Sequence, residues 1–232
     1  MGYLSSLLSA TDTPSVCAAQ RKNTGYISGL KSAKSFGSGG SMSKYLVTSF
    51  YTVDTPYEEE AKKRLIPSLL KHGIPHYVVG VKSHGDWRRN IYEKAETILN
   101  AFNRVPAGRA VVWLDADAEV VEKPTLFETM DCDFAYHNRN GNLSSGTMYF
   151  GPNFVTQKLL GAWHNKLMWR ANNDQWKDAT EQAVLKEVLG TFNSVRVVDL
   201  PLSYSTIFDG PQPQEPVVIR HHQASRRLKG SV

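Results

Sequence analysis

A continuous apolar strand that ends in two closely spaced aspartates constrains this chain more than any other feature. Residues 110–114 read Ala-Val-Val-Trp-Leu, and Asp115 and Asp117 follow directly. Apolar residues at every position predict a strand buried on both faces, as in a parallel sheet that helices cover on each side. Side chains at i and i+2 of an extended chain project to the same side. Because burying two such carboxylates is costly without a partner, the pattern indicates a cation between them.

Strand and helix patterns alternate from Tyr45 onwards. Strands are predicted at Tyr45–Tyr51, His76–Val81, Ala110–Leu114, Phe134–His137, Thr147–Phe150, Val195–Val198 and Val217–His221. Helices are predicted from Thr55 to Gly73, with a kink or early end at Pro67, and at Asn90–Phe102, Asn153–Trp169 and Ala179–Leu189. This order predicts one doubly wound α/β domain with a mixed, mostly parallel central sheet, a class that binds ligands at strand carboxyl ends.

The first 41 residues differ in composition from the remainder. They are rich in Ser, Gly and Lys, and they end in Gly-Ser-Gly-Gly-Ser at positions 37–41, directly before Met42. Such a composition is typical of a flexible linker. We therefore predict a flexible appended segment and linker over 1–41 and the functional domain over 42–232. The alternative is a natural disordered extension.

Charge, cysteine content and hydropathy exclude several classes of protein. The chain of 232 residues has 27 basic and 22 acidic residues, a net charge of +5, of which residues 1–41 carry +3, and the stretch after Glu215 is basic without any acid. This favours a local anion site near the C-terminus over nucleic-acid binding by the whole surface. No run approaches the roughly 18 apolar residues that span a bilayer. Two cysteines, Cys17 and Cys132, indicate a reducing compartment, so we expect a cytoplasmic protein, or one of the host cytoplasm if its source is viral.

Oxygen-rich pairs such as Asp115 and Asp117 suit Mg²⁺ or Mn²⁺, which also hold phosphate oxygens. The alternative is a polar turn in which an aspartate caps the next segment. Two histidines, His221 and His222, are further candidate metal ligands. Adjacent side chains on a strand point in opposite directions, so one of them is expected to bind, and we favour His221. The basic residues that follow suit a diphosphate, although a solvated basic tail would have the same composition.

The segment Leu114-Asp-Ala-Asp117 resembles the DxD motif of GT-A nucleotide-sugar glycosyltransferases, and other motifs follow in matching order over residues 45–229. The resemblance implies a GT-A, Rossmann-like fold and three sets of residues. The donor nucleotide sugar would contact Thr48, Tyr51, Thr52, Asn90, Lys94, Asp115, Ala116, Ser145, Gly146, Ser225, Arg226 and Lys229. The metal would be bound by Asp115, Asp117 and His221 or His222. Catalysis would involve Gln182, Glu181 or Asp174, near the anomeric carbon.

The activity that this resemblance implies is metal-dependent transfer of a hexosyl or pentosyl group from a nucleoside-diphosphate sugar to an acceptor hydroxyl. Retention of configuration is expected, with Gln182 lining the reactive face of the sugar. The compact domain suits a bacterial or phage enzyme whose acceptor is a glycan, a protein, a small molecule or a modified DNA base. Its oligomeric state is left open. One alternative is a sugar nucleotidyltransferase, although the Gly-rich basic loop that this class has at its first strand is missing at Thr48–Thr52. The other alternative is a nucleotide-sugar-binding module without catalysis.

Three further segments have weaker patterns. Trp87, Arg88 and Arg89 are interpreted as an exposed helix cap with an aromatic packing contact, and the alternative is contact with the donor phosphates. The Asn-rich stretch Asn138–Asn142 is predicted to be a turn at a substrate rim. The polar stretch Ala171–Lys177 is predicted to be a mobile acceptor loop.

Overall fold

The computed structural model describes residues 25–28 and 43–228. A central sheet has the strand order β1-β3-β2-β4-β7-β6-β8. Its strands are β1 (Gly25–Ser28), β2 (Tyr45–Thr52), β3 (His76–Val81), β4 (Ala110–Leu114), β6 (Phe134–Arg139), β7 (Asn142–Phe150) and β8 (Val197–Asp199). Strands β1 and β7 run antiparallel to their neighbours and the others share one direction. The expected mixed, mostly parallel α/β sheet is therefore confirmed.

A small second sheet lies beside the carboxyl end of β4. It consists of β5 (Ala118–Val120), β9 (Thr206–Ile207) and β10 (Ile219–His221), in the order β5-β10-β9. The expected strand at Val217–His221 thus begins two residues later and belongs to this sheet, not to the central one. Because β5 follows Asp117 directly, the pairing of β10 with β5 brings His221 opposite Ala118.

Helices lie on both faces of the central sheet. They are α1 (Pro56–Glu60), α2 (Ile66–Lys71), α3 (Trp87–Ile91), α4 (Glu93–Phe102), α5 (Phe154–Asn172), α6 (Glu181–Leu189) and α7 (Ala224–Leu228). Side chains at the N-caps of four helices accept backbone N–H groups, which satisfies donors that helix starts leave free. These caps are Thr55, Asp86, Asn153 and Thr180.

The helical segment from Pro56 to Lys71 changes its hydrogen-bond pattern just before Pro67. Residues 61–65 form a π-helical stretch between α1 and α2, and Pro67 stands in the first turn of α2. Proline has no N–H to give to the preceding turn, so the interruption falls just ahead of it. The expected kink therefore takes the form of a wider turn, and the helical segment continues to Lys71.

Alternating residues of β4 face two separate hydrophobic cores. Val111 and Trp113 pack with α4, α5 and α6, while Val112 and Leu114 pack with Leu65 and the second sheet. All five residues of β4 are buried. The strand is thus covered on both faces, as its uniformly apolar sequence predicts, and its carboxyl end is fixed rigidly between two layers.

Strands β6 and β7 form a hairpin whose turn is the pair Asn140-Gly141. Both turn residues have positive φ angles, 51° and 82°. This is the backbone that a two-residue type I′ hairpin turn requires and that Asn-Gly supplies readily. The predicted turn over Asn138–Asn142 is therefore shorter than expected, and β7 begins at Asn142 instead of Thr147.

Two expectations concern segments that the structure describes in part. Strand β1 lies inside the predicted appended segment and pairs with β3; the rest of residues 1–41 lies outside the described residues, so the division at Met42 remains a prediction. The expected acceptor loop at Ala171–Lys177 is partly helical, because α5 extends to Asn172, and Trp176 is buried against the core. In the described part of the chain, no helix is long and apolar enough to cross a membrane.

Two glycines allow a matched test of how tightly the sheet packs. A Cβ atom on Gly151, just after β7, would lie 2.0 Å from the carbonyl oxygen of Cys132, whereas one on Gly161 in α5 would meet nothing within 4 Å. We expect Gly151→Ala to lower the free energy of unfolding by about 1–3 kcal/mol through overpacking. Gly161→Ala should raise it by up to about 1 kcal/mol, because alanine favours the helix. Urea denaturation measures both, and equal stabilities would contradict this packing.

Candidate active site

A pocket of about 630 Å³ opens at the carboxyl ends of β2 and β4, beside the β6–β7 hairpin. Its walls come from the end of β2, helices α3, α4 and α6, strand β7 and the second sheet. The lining includes most residues of the expected donor, metal and catalytic sets: Tyr51, Thr52, Asn90, Lys94, Asp115, Ala116, Asp117, Ser145, Gly146, Glu181, Gln182, His221 and Ser225. Parts of the chain that are far apart in sequence therefore meet in one cavity.

Three potential metal ligands converge on the floor of this pocket. Asp115, Asp117 and His221 each present one ligand atom, and these atoms lie within 4.8 Å of one another. Asp117 and His221 are buried, while the carboxylate of Asp115 is partly exposed to the pocket. The two carboxylate oxygens suit Mn²⁺ and Mg²⁺, and the imidazole nitrogen is a softer third ligand.

Neighbouring groups orient each of the three ligands. Oδ1 of Asp115 accepts a hydrogen bond of 2.8 Å from the indole nitrogen of Trp113, which leaves its other oxygen free. Nε2 of His221 lies 2.8 Å from the hydroxyl of Thr147, and Nδ1 faces Asp117 at 3.8 Å. A Cβ on Gly146 would stand 2.9 Å from the His221 ring, so only glycine allows the ring to lie against β7. Such outer contacts fix the tautomer and orientation of a metal-binding histidine.

The second aspartate is the most constrained of the three. Oδ2 of Asp117 accepts the backbone N–H of Ala224 at 2.6 Å, and its backbone carbonyl accepts the N–H of His222. Burial alone would raise the pKa of Asp117, but its hydrogen bonds to His221 and to the backbone N–H of Ala224 outweigh it and hold that pKa below its usual range. Asp117 is thus an anion at neutral pH, as a metal ligand must be.

A buried lysine connects the metal ligands to the opposite wall. Nζ of Lys94 lies 3.0 Å from Oδ1 of Asp115 and 2.8 Å from Oε1 of Glu181, and it donates to Oγ of Ser145 at 3.2 Å. Burial lowers the pKa of Lys94, but the two carboxylates more than offset it, so the pKa is raised and the ammonium persists. Ser145 also bonds Glu181 at 2.9 Å and Gln182 at 3.3 Å. The negative charge of Glu181 is therefore balanced by Lys94. Its neighbour in sequence, Gln182, is an uncharged amide.

Two aromatic residues lie beside the metal ligands, and the sequence patterns did not single out the first of them, Tyr57. Tyr57, on α1, and Trp87, on α3, line the pocket. Burial and the negative charges of Asp117 and Asp115 raise the pKa of Tyr57 to about 12, opposed in part by the Trp87 indole. The indole N–H of Trp87 can donate but cannot accept a hydrogen bond. The hydroxyl proton of Tyr57 therefore has no acceptor among the described residues. Arg88 and Arg89 are exposed, as expected for a helix cap, while Trp87 is partly buried and lines the pocket.

Four expected site residues are directed elsewhere. Thr48 is fully buried and its hydroxyl donates to the carbonyl of Tyr77, because its side chain faces the core below the pocket. Asp174 accepts the indole N–H of Trp176 in a turn after α5. His222 points away from the metal ligands and bonds Glu119 at 2.9 Å, as strand alternation requires. Arg226 forms an ion pair of 2.6 Å with Asp209 outside the pocket.

The remaining expectation, Lys229, lies outside the described residues. Asn90 is in place, with its amide bonded to Ser83 and to the backbone of His84. The β6–β7 hairpin adds Arg139, Asn140 and Asn142 to the lining. The Asn-rich stretch was expected at the rim, but Arg139 was not singled out.

The buried lysine should be essential for stability as well as for the site. Lys94→Met keeps the apolar stem but leaves Asp115 and Glu181 without their counter-charge. Removing one partner of a buried ion pair costs about 3–5 kcal/mol, so the free energy of unfolding should fall by that amount. The control, Lys166→Met, breaks the surface pair with Glu187 and should cost less than about 1 kcal/mol. Urea denaturation of both variants gives the comparison, and a loss of similar size in each would contradict the role of Lys94.

Comparison with known proteins supports the architecture. No family model matches the chain, and no curated protein does. A glycosyltransferase involved in glycosylation of the major capsid of PBCV-1 superposes with a TM-score of 0.60 and 16% identity, over 77% of this chain and 92% of that one. The glycosyltransferase GlyE of Streptococcus pneumoniae TIGR4 gives 0.50 and 13%, over 78% of this chain and 55% of that one. At these identities the likeness concerns the fold, and this chain has the α/β fold of GT-A glycosyltransferases.

Proposed function

We propose that the protein is a metal-dependent glycosyltransferase that moves a hexosyl or pentosyl group from a nucleoside-diphosphate sugar to an acceptor hydroxyl. The observation that carries the proposal is the convergence of Asp115, Asp117 and His221 at the carboxyl end of β4, inside a pocket large enough for a nucleotide sugar. The solved glycosyltransferases of the same fold support it.

The three ligands would hold Mn²⁺ or Mg²⁺, whose charge would stabilise a departing diphosphate. The protein's own groups would complete the anion site. The Tyr57 hydroxyl stays protonated at neutral pH and lies near both aspartates. Because its O–H has no acceptor among the described residues, it would donate a hydrogen bond to a phosphate oxygen. Tyr51 and Thr52, at the end of β2, and Trp87 would line the space for the nucleoside. Ser225 lies at the edge of the same pocket.

The charge pattern under the expected sugar position supports retention of configuration. An inverting enzyme needs a free carboxylate to act as the base on the acceptor hydroxyl. Among the described lining residues the carboxylates are Asp115, Asp117 and Glu181, and each is already held by a metal-site contact or by Lys94. Gln182 lines the pocket beside Ser145. We therefore assign the reactive face of the sugar to Gln182, with Glu181 fixing Lys94.

Binding of nucleotides tests the site directly. A ligand that binds only the folded state raises thermal stability by mass action. We expect a nucleoside diphosphate, from a panel of bases, to raise the melting temperature with Mn²⁺ and much less in excess EDTA. Asp117→Asn keeps an acceptor for the Ala224 N–H but weakens metal binding, so the shift should be lost. Asp131→Asn, a change at an exposed aspartate, should retain it. A full shift in Asp117→Asn would refute the metal site.

Catalysis has to be separated from binding alone. Slow metal-dependent hydrolysis of the bound nucleotide sugar in the absence of acceptor indicates a transferase. A nucleotide-sugar-binding module would give the thermal shift without any hydrolysis. A nucleotidyltransferase would instead form the activated sugar from a nucleoside triphosphate and a sugar phosphate, which the same protein can be assayed for.

The stereochemical course gives a further prediction. With an α-linked donor, proton NMR of the first product should show an α-linkage, because in retention the acceptor oxygen bonds to the same face of the anomeric carbon that the diphosphate leaves. Gln182→Ala should reduce kcat much more than it changes the affinity for the nucleoside diphosphate. A β-linked first product would exclude retention and would require a base among the acids near the pocket.

A further inference from the structure

The end of the pocket formed by the β6–β7 hairpin has a positive charge without a counter-charge. Of the described lining residues, Lys94 and Arg139 are the permanent cations, and Lys94 is neutralised by Asp115 and Glu181. Arg139 donates one hydrogen bond, of 3.2 Å, to the carbonyl of Ser205. A guanidinium has five N–H donors, so most of its capacity remains free. No carboxylate of the described residues forms an ion pair with it.

The surroundings of Arg139 disfavour an isolated cation. Partial burial lowers its pKa, and the positive charge of Arg226 lowers it further. Arg226 has its own partner in Asp209. A partly desolvated guanidinium that faces a second cation is stabilised when an anion binds to it.

The hairpin holds Arg139 rigidly in this position. A β-bulge at Tyr136/His137 redirects the end of β6, and the Asn140-Gly141 turn sets Arg139 directly across from Asn142. Nζ of Lys186, on α6, donates to the carbonyl of Gly141 at 2.9 Å. The hairpin is thus attached through Arg139 to Ser205, just before β9, and through Lys186 to α6. Such prior ordering of a binding group reduces the entropy cost of binding a ligand.

The sheet order separates Arg139 from the donor end of the pocket. Strand β6 has β7 between itself and β4, so the backbones of β6 and β4 lie two strand spacings, about 10 Å, apart. The nucleoside end, at β2, lies about 14 Å away, on the other side of β4. Arg139 thus belongs to the end of the pocket opposite the nucleoside, which is the side that an acceptor would enter.

We propose that the acceptor carries a carboxylate or phosphate group and that Arg139 binds it, with Asn140 and Asn142 beside it to contact hydroxyl groups. This inference rests on the proposed function and adds the chemical class of the acceptor. Uronic acids and sugar phosphates share this chemistry, and a guanidinium fork suits both anions.

Titration with matched sugars tests the proposal. The protein is first saturated with a nucleoside diphosphate and Mn²⁺, which blocks the donor site. Methyl β-D-glucuronide, glucose 6-phosphate and the neutral methyl β-D-glucoside are then titrated by calorimetry. We expect at least one charged sugar to bind roughly 10-fold or more tightly than the neutral one, as a charge-assisted bidentate contact allows. Which of the two binds more tightly distinguishes a carboxylate acceptor from a phosphate.

Variants assign the preference to Arg139. Arg139→Gln should reduce binding of the charged sugar to the level of the neutral one, without changing the affinity for the nucleoside diphosphate. Arg139→Lys keeps the charge but loses the fork, so its preference should be intermediate, and it provides the test if Arg139→Gln is unstable. Lys166→Gln, on the remote surface of α5, should leave the preference intact.

Three results would overturn the proposal: equal binding of charged and neutral sugars, a preference that survives Arg139→Gln and Arg139→Lys, or loss of nucleoside diphosphate binding in Arg139→Gln. The third would show that Arg139 serves the donor. If the unaltered protein binds no nucleoside diphosphate, the proposed function fails. The same titration without nucleotide then still measures whether Arg139 selects anionic sugars.

Discussion

The ammonium group of Lys94 is the contact on which the site depends. It is contributed by α4, and it reaches the end of β4 at Asp115, strand β7 at Ser145 and the first turn of α6 at Glu181. It also lies 5.2 Å from the centre of the Trp113 ring. One buried charge therefore sets the relative position of four elements. Without it, the two carboxylates on either side of the pocket would repel each other in a medium of low polarity.

The part of the site that could be predicted from sequence is the part encoded locally. A uniformly apolar strand followed by Asp115 and Asp117 fixes its own burial and the side to which both carboxylates point. Strand alternation predicts that only one of His221 and His222 faces the aspartates, and the geometry agrees with the preference for His221. Thr48 lies within the buried run of β2, too far from the strand's carboxyl end to reach the pocket, and that expectation was wrong.

Residues that depend on tertiary placement could not be found in this way. Tyr57 and Trp87 belong to separate short helices, and only the packed structure brings them beside the aspartates. Asp174 looked available in a polar stretch, but a local bond to Trp176 holds it in a turn. One usable signal was present for the hairpin. Asn140-Gly141 is the strongest short-range pattern for a tight turn, and it would have placed Arg139 opposite Asn142.

The attachment of β10 to β5 also has a consequence for the order of folding. The bond from the Ala224 N–H to Asp117 joins residues 107 positions apart, whereas the central strands on either side of β4 can pair before β10 is made. Contacts of such long sequence separation form late, because the loop between them must first be closed. During synthesis, a nascent chain that already has its aspartates in place would lack the histidine ligand. Metal affinity would therefore develop only when the last strand docks, after the main sheet has formed.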